Sequence, residues 1–244
     1  AMIRSPYKQI EYSSTLIFHT SCFLYCLFQN SLLSNCFNYK RCTMDEIQLR
    51  NLYGPATEKA SAKIMKSLDP HSVSFINASN FLVMGTFDGE DIDLSPKGDP
   101  KGFVKVISDD RIEIADRPGN NRIDGLLNIS KNATVSLIFF IPKVAETLRV
   151  QGKATISNDP KVLEKHKLKS NLPKTVTVIK PTKVFLHCGK ALLRSSLWKP
   201  ESWPDTRPIP TLYEMIEDQT GLNCEIKKEN DIIEMYEREL YQNK

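Results

Sequence analysis

From Phe81 to Cys188 the chain reads as a run of short strands, most of them joined by turns too short to hold a crossover helix. Phe81 to Phe87 is apolar and β-prone, Asp88-Gly89 is a hairpin-type turn, and Glu90 to Leu94 returns with acids and apolar residues in alternation (Asp91, Ile92, Asp93, Leu94). Phe103 to Ile107 and Arg111 to Ala115 form a second hairpin about Asp109-Asp110. Thr134 to Ile141, a long Glu146 to Ser157 turned at Pro142-Lys143, Thr175 to Ile179 and Val184 to Cys188 supply the rest. One stretch among them, Asn121 to Lys131, carries Ile123, Leu126, Leu127 and Ile129 at near-helical spacing. Parallel strands need a crossover of about a dozen residues each. The pattern therefore predicts an antiparallel closed sheet of the α+β class, mainly β, rather than βαβ units.

Helices flank this run. Asp45 to Tyr53 and Thr57 to Leu68 are predicted as two helices split by Gly54-Pro55, and Asp69-Pro70 starts a third through Ala78. The tail from Pro210 is predicted helical, with Asn230-Asp231 capping a last amphipathic stretch to Tyr241. Before Met44 the character changes. Residues 1–43 hold Arg4, Lys8, Lys40 and Arg41 against Glu11 alone, and four of the six cysteines, Cys22, Cys26, Cys36 and Cys42. The reading is an N-terminal extension over 1–43 and one compact domain over 44–244, with a helical tail over about 205–244. Leu16 to Phe18 and Cys22 to Phe28, interrupted by His19, Thr20 and Ser21, fall short of the roughly 20 apolar residues of a membrane span. Gln29 to Leu32 makes a poor leader cleavage site. Cys36 and Cys42 are too widely spaced to complete a zinc knuckle with Cys22 and Cys26, and His19, His71, His166 and His187 are scattered, so no metal centre is expected.

With 33 Lys+Arg against 29 Asp+Glu, a net charge of +4 is too weak to argue for a nucleic-acid partner. Beyond residue 43 only Cys188 and Cys224 remain, which points to a reducing, cytoplasmic setting. No Gly-x-Gly-x-x-Gly follows a strand, and neither a P-loop nor a Gly-x-Ser-x-Gly elbow occurs.

Three loops carry candidate chemistry. Leu94-Ser95-Pro96-Lys97-Gly98-Asp99-Pro100 follows a strand. Asp116-Arg117-Pro118-Gly119-Asn120-Asn121-Arg122 runs from a strand into a helix. Glu146-Thr147-Leu148-Arg149-Val150-Gln151-Gly152 lies on the long strand. The second puts two guanidinium groups, two carboxamides and a glycine at a helix start, where free N–H groups and the helix dipole favour an anion. Arginine adds forked donors suited to phosphate oxygens. Taken alone, the same loop is equally a capped helix with solvated arginines.

In order, Phe81-Leu82-Val83, Leu94 to Asp99, Gly102-Phe103-Val104, Asp116 to Arg122, Glu146 to Val150 and His187-Cys188-Gly189-Lys190-Ala191 resemble the pyridoxamine 5'-phosphate oxidase-like, FMN-binding split-barrel family, and within it a bacterial subgroup of uncharacterised flavin proteins. The resemblance runs from about Asp45 to the region of Gly221. It implies a six-stranded antiparallel split β-barrel with N- and C-terminal helices, and a homodimer with FMN at the subunit interface. It implies that Asn121 and Arg122, with Arg117 and Asn120 nearby, hold the FMN phosphate. Ser95 and Lys97 then run beside the flavin ring and ribityl chain, Thr147 and Arg149 meet the ring edge, and Lys190, Arg194 and Trp198 reach the active site from a late segment. The implied activity is FMN-dependent oxidoreduction of a small molecule. The true oxidase's late Arg-x-His-Asp-Arg pattern is replaced here by Gly189-Lys190-Ala191-Leu192-Leu193-Arg194, so oxidation of vitamin B6 does not carry over. The alternative is the same fold holding flavin, or haem, as cargo without turnover.

Individual residues keep two readings each. Lys97 contacts FMN or is a solvated turn lysine. Arg149 points off the core face, to line a site or to meet water. His187 beside Cys188 is expected to pack at a strand end, and Trp198 and Trp203 stack on a flavin or cover the barrel mouth.

Overall fold

The computed structural model describes residues 43–226 and 228–242. The readings placed on residues 1–42, the extension and its cysteines, lie outside the described residues. The chain divides at Pro55 into two units. The first contains one described helix, α1 (Glu46–Tyr53), opened by a capping box: Gln48 N donates to Asp45 Oδ1 at 2.8 Å and Asp45 N to Gln48 Oε1 at 3.1 Å. It ends at Gly54, whose φ of 71° suits a residue without a Cβ.

In the second unit α2 (Glu58–Ala62) is shorter than the helix expected over Thr57 to Leu68. The chain leaves it at Lys63 and bridges to the sheet, Met65 N to Val184 O at 2.9 Å and Val184 N to Met65 O at 2.8 Å. A long-range pair of backbone bonds here outweighs local helix preference. Helix α3 (Pro70–Ala78) starts as expected, with Asp69 accepting from Ser72 N and Pro70 at the first turn. It buries Ile76 completely. Beyond its end, the fully buried Ser79 donates from Oγ toward Phe81 O and Phe140 O, at 2.8 and 2.7 Å.

The strands are β1 (Phe81–Phe87), β2 (Ile92–Gly98), β3 (Val104–Ser108), β4 (Arg111–Ala115), β5 (Thr134–Phe140), β6 (Thr147–Ser157) and β7 (Val176–His187). They form one antiparallel sheet in the order β2-β1-β5-β6-β7-β4-β3. This corrects the six-stranded closed barrel expected from the sequence. There are seven strands, and β2 and β3, which would have to pair to close the sheet, stand at opposite edges. Short turns fix which strands are neighbours locally and say nothing about whether the ends meet. Asp99 N still bonds to Asn80 O, but Pro100 has no N–H, and a turn from Pro100 to Phe103 through Gly102 at φ +83° redirects the chain. Both edges also carry ladder-breaking features: Pro96 within β2, and a register shift between Val106 and Ser108 in β3.

The last two expected strands are a single strand, β7. Its register against β6 steps from Gln151↔Lys183 to Gly152↔Pro181, leaving Thr182 as a bulge, so the proline sits where the ladder is already interrupted. Gly152 is required there, because a Cβ would collide with the Lys180 carbonyl and lie 2.9 Å from Ile179 Cγ2.

Alternation on β1, β5 and β6 puts Leu82, Met84, Val135, Leu137, Phe139, Leu148 and Val150 on one buried face. Helix α4 (Asp124–Lys131) packs over β1, β2 and β6 on that side through Ile129. Further helices follow: α5 (Pro160–Lys165), α6 (Lys190–Arg194), α7 (Leu212–Thr220) and α8 (Glu229–Glu239). The expected cap at Asn230-Asp231 falls inside the first turn of α8, whose N-cap is Lys228 and makes no side-chain cap bond.

Candidate functional site

Along β2 the side chains of Asp93, Ser95 and Lys97 alternate with Ile92, Leu94 and Pro96. The first set lines a cavity on the α4 side of the sheet, where Ser95 opposes Met84 in register and Lys97 opposes Leu82. Asp93 and Lys97 stand four positions apart on the strand, so the row runs about 13 Å. The loop from β4 to α4 forms the facing wall. Asp116 N bonds to Thr175 O at 3.0 Å, tying the loop to the segment before β7.

At the far end of the loop the backbone is strained. Asn121 lies at φ 59° and Ile123 at φ 51°. For a β-branched residue this left-handed conformation is an outlier, costing on the order of 1–3 kcal/mol. Ile123 is the N-cap of α4 and supplies no capping side chain. Asn120 Oδ1 accepts from Arg122 N at 3.1 Å, and Arg122 pairs with Asp124 at 2.8 Å. A helix start without a side-chain cap leaves its first-turn N–H groups to other acceptors, and the N-terminus of a helix favours an anion.

The cavity encloses about 400 Å³, within the range of small-molecule sites, about 300–1,000 Å³. Ser95, Lys97, Arg117, Asn120, Asn121 and Arg122, all singled out from the sequence, line it together. Lys174, Asp116 and Thr177 also line it and were not anticipated as site residues. Lys174 and Thr177 lie more than 50 residues beyond the loop, in a segment with no motif, and reach the cavity only because β7 pairs with β4. Burial pushes the Asp116 carboxyl up, against the pull of Lys97, Lys174 and Arg117. Its Oδ1 is 3.9 Å from Lys97 Nζ.

The other predicted residues lie elsewhere. Arg149 points off the core face. With His187 it lines a hollow of about 600 Å³ on the opposite side of the sheet, among Val83, Phe87, Ile92, Leu94 and Ile138. Its guanidinium carbon stands 5.2 Å from the Phe185 ring centroid. Thr147 is buried on β6, and Lys190 and Arg194 are on α6; none of the three lines either cavity. His187 and Cys188 are exposed rather than packed. Trp198 donates to Val144 O and Trp203 to Leu197 O, and neither lines either of these two cavities.

Residues 68–188 match the family profile described as Pyridoxamine 5'-phosphate oxidase, and the chain belongs to the pyridoxamine 5'-phosphate oxidase-like superfamily. The matched span contains every residue of the loop-side cavity and stops before Lys190 and Arg194. Among solved structures the chain is similar to HupZ of Group A Streptococcus, at 19% identity over 49% of this chain and 93% of that one, TM-score 0.40. It is also similar to an FMN-binding protein from Syntrophomonas wolfei subsp. wolfei, at 16% identity over 46% and 81% of the two chains, TM-score 0.37. General Stress Protein 26 from Bacillus anthracis str. Sterne is similar at 15% identity over 47% and 88%, TM-score 0.37. No curated protein matches the chain significantly.

Proposed function

We propose that the chain is an FMN-binding flavoprotein, an oxidoreductase of its superfamily acting on a small molecule. We further propose that it works as a homodimer with the cofactor at the subunit interface. The observation that carries the reading is the start of α4 without a side-chain cap, behind left-handed Asn121 and Ile123, opening on a cavity that also holds Lys97, Arg117, Arg122 and Lys174. A dianionic phosphate suits that donor set, because charge-assisted bonds from guanidinium and backbone N–H groups are about twice as strong as neutral ones.

When bound, FMN supplies the electron-carrying ring, so the protein needs no nucleophile of its own. The chain's part is to anchor and to set charge. Asn121, Arg122 and the first turn of α4 hold the phosphate. Ser95 and Lys97, in a row along β2, line the rest of the cavity. Asp116, partly buried against Lys97, tempers the positive charge at that end. The homodimer is supported by the outer face, where Ile92 and Leu94 are 73% and 67% exposed around the hollow that Arg149 and His187 line; edge strand β2 lines both that hollow and the cavity, so an interface along it adjoins the cofactor. The cytoplasmic setting draws on Cys188 and Cys224, both free. No helix among the described residues is long and apolar enough to cross a membrane.

An absorbance spectrum of the purified protein, with the mass of the released ligand, tests the reading. Flavin bands and the mass of FMN are expected. A colourless protein that gains no flavin band on incubation with FMN contradicts it, and a Soret band would replace flavin with haem.

A further inference from the structure

The two arginines of the cavity are held differently. Arg122 has a side chain 74% exposed, paired with Asp124 beside it. Arg117 is gripped from behind. Its Nε donates to Asp99 Oδ2 at 2.7 Å, and its Nη1 donates to the His166 carbonyl at 3.1 Å. The Asp99 side chain, just past the end of β2, is 3% exposed. Its other oxygen, Oδ1, accepts from the Tyr241 hydroxyl at 2.7 Å, across 142 residues of sequence. Tyr241 follows α8, which is seated by buried Ile232 and by the Glu229–Arg207 ion pair at 3.1 Å. Lys169 Nζ stands 5.8 Å from the centroid of the Tyr241 ring.

The Tyr241 hydroxyl on Oδ1 fixes the orientation of the Asp99 carboxylate, whose Oδ2 holds Arg117 through Nε. Of the five N–H groups of the guanidinium, two are used by Asp99 and His166, and the rest are left to the cavity that Arg117 lines.

We propose that Tyr241 and Asp99 are positioning residues for Arg117, so that the docking of α8 and the turn after it sets the affinity of the cavity for a phosphate-bearing ligand. The ligand, FMN, rests on the function proposed above; the relay itself rests only on the three side chains.

The test uses the full chain and Tyr241→Phe, which keeps the ring and its contact with Lys169. FMN and riboflavin are titrated into each. Solvent exchange of the Arg117 guanidinium hydrogens is followed by NMR without ligand. The expected result is FMN binding weakened roughly tenfold in the variant, the equivalent of one hydrogen bond. Riboflavin, which has no phosphate, binds both proteins alike. The Arg117 Nε hydrogen exchanges faster in the variant, because Asp99 is no longer held in place by Tyr241. Unchanged FMN affinity overturns the proposal, and so does equal weakening of both flavins, which would mark Tyr241 as a merely structural contact. If the parent binds no FMN, the function proposed above fails instead. The exchange rates then decide the relay: faster Nε exchange in the variant supports it, and equal rates overturn it.

Discussion

His166 and Glu113 meet in the interior, Nε2 to Oε2 at 3.1 Å, with both side chains almost wholly shielded from water. Glu113 Oε1 also takes two bonds from Arg111, at 2.9 and 2.6 Å. Burial pushes His166 below its ordinary value, against the pull of Glu113, so the ring is neutral at pH 7. A neutral ring facing a carboxylate carries its proton on Nε2, which leaves Nδ1 the bare acceptor. Nδ1 has no partner among the described residues.

This pair predicts acid sensitivity. The histidine titrates at about 6.5 when free and lower when folded, so the unfolded chain takes up its proton first. Stability from it is complete above that value and is lost as pH falls below it. For Glu113, burial raises the carboxyl, but the bonds from His166 and Arg111 outweigh it and hold the group below its free value of 4.5. Its contribution is lost further down, as pH falls from there through the folded value. Thermal midpoints measured from pH 7 downward should begin to drop near the first value. His166→Gln, which keeps an N–H for Glu113 and cannot titrate, should flatten the slope between the two. An identical slope in parent and variant would remove His166 as the cause.

Gly152→Ala should destabilise the protein by about 1–3 kcal/mol or more, since a backbone carbonyl rather than a movable side chain occupies the space. Gly119 lines the cavity with open space where a Cβ would stand, so Gly119→Ala should change stability by no more than about 0.5 kcal/mol. Urea unfolding of the two variants gives the comparison, and equal losses would refute the packing argument.

Ile123→Asn should leave the protein as stable as the parent or about 1 kcal/mol more so, because asparagine tolerates the left-handed backbone that isoleucine does not. The isoleucine side chain is 49% exposed and loses little burial. A loss above about 1 kcal/mol in urea would show that its packing outweighs the strain.

If the outer face of β1 and β2 joins two subunits, Ile92→Lys should shift a flavin-loaded dimer toward monomer at micromolar concentration, read by light scattering. A parent that is monomeric with flavin bound would contradict the proposed dimer.

Much of this was legible in the sequence because the signals are local. Asp88-Gly89 and Asp109-Asp110 turn where turn chemistry demands, and the Asp116 to Arg122 loop does meet the Ser95-Lys97 strand around one cavity. The failures are those of long-range pairing. Pro96 marks β2 as an edge strand, but nothing local to β3 says whether the two edges meet. Pro181 reads as a strand break until Gly152 and the Thr182 bulge are seen to absorb it. Lys174 carries no motif, and Asp99, although it closes the Leu94 to Asp99 segment, gains its role only through partners far away in sequence.

The most direct measurement is a paired titration of parent and Arg122→Ala with FMN and with riboflavin, with the fold of each checked by circular dichroism. A charge-assisted bond to phosphate is worth about 1.5–3 kcal/mol. Arg122→Ala should therefore weaken FMN roughly tenfold to a hundredfold and leave the weaker riboflavin binding unchanged. FMN bound equally well by parent and variant would contradict the account of this cavity as a phosphate site.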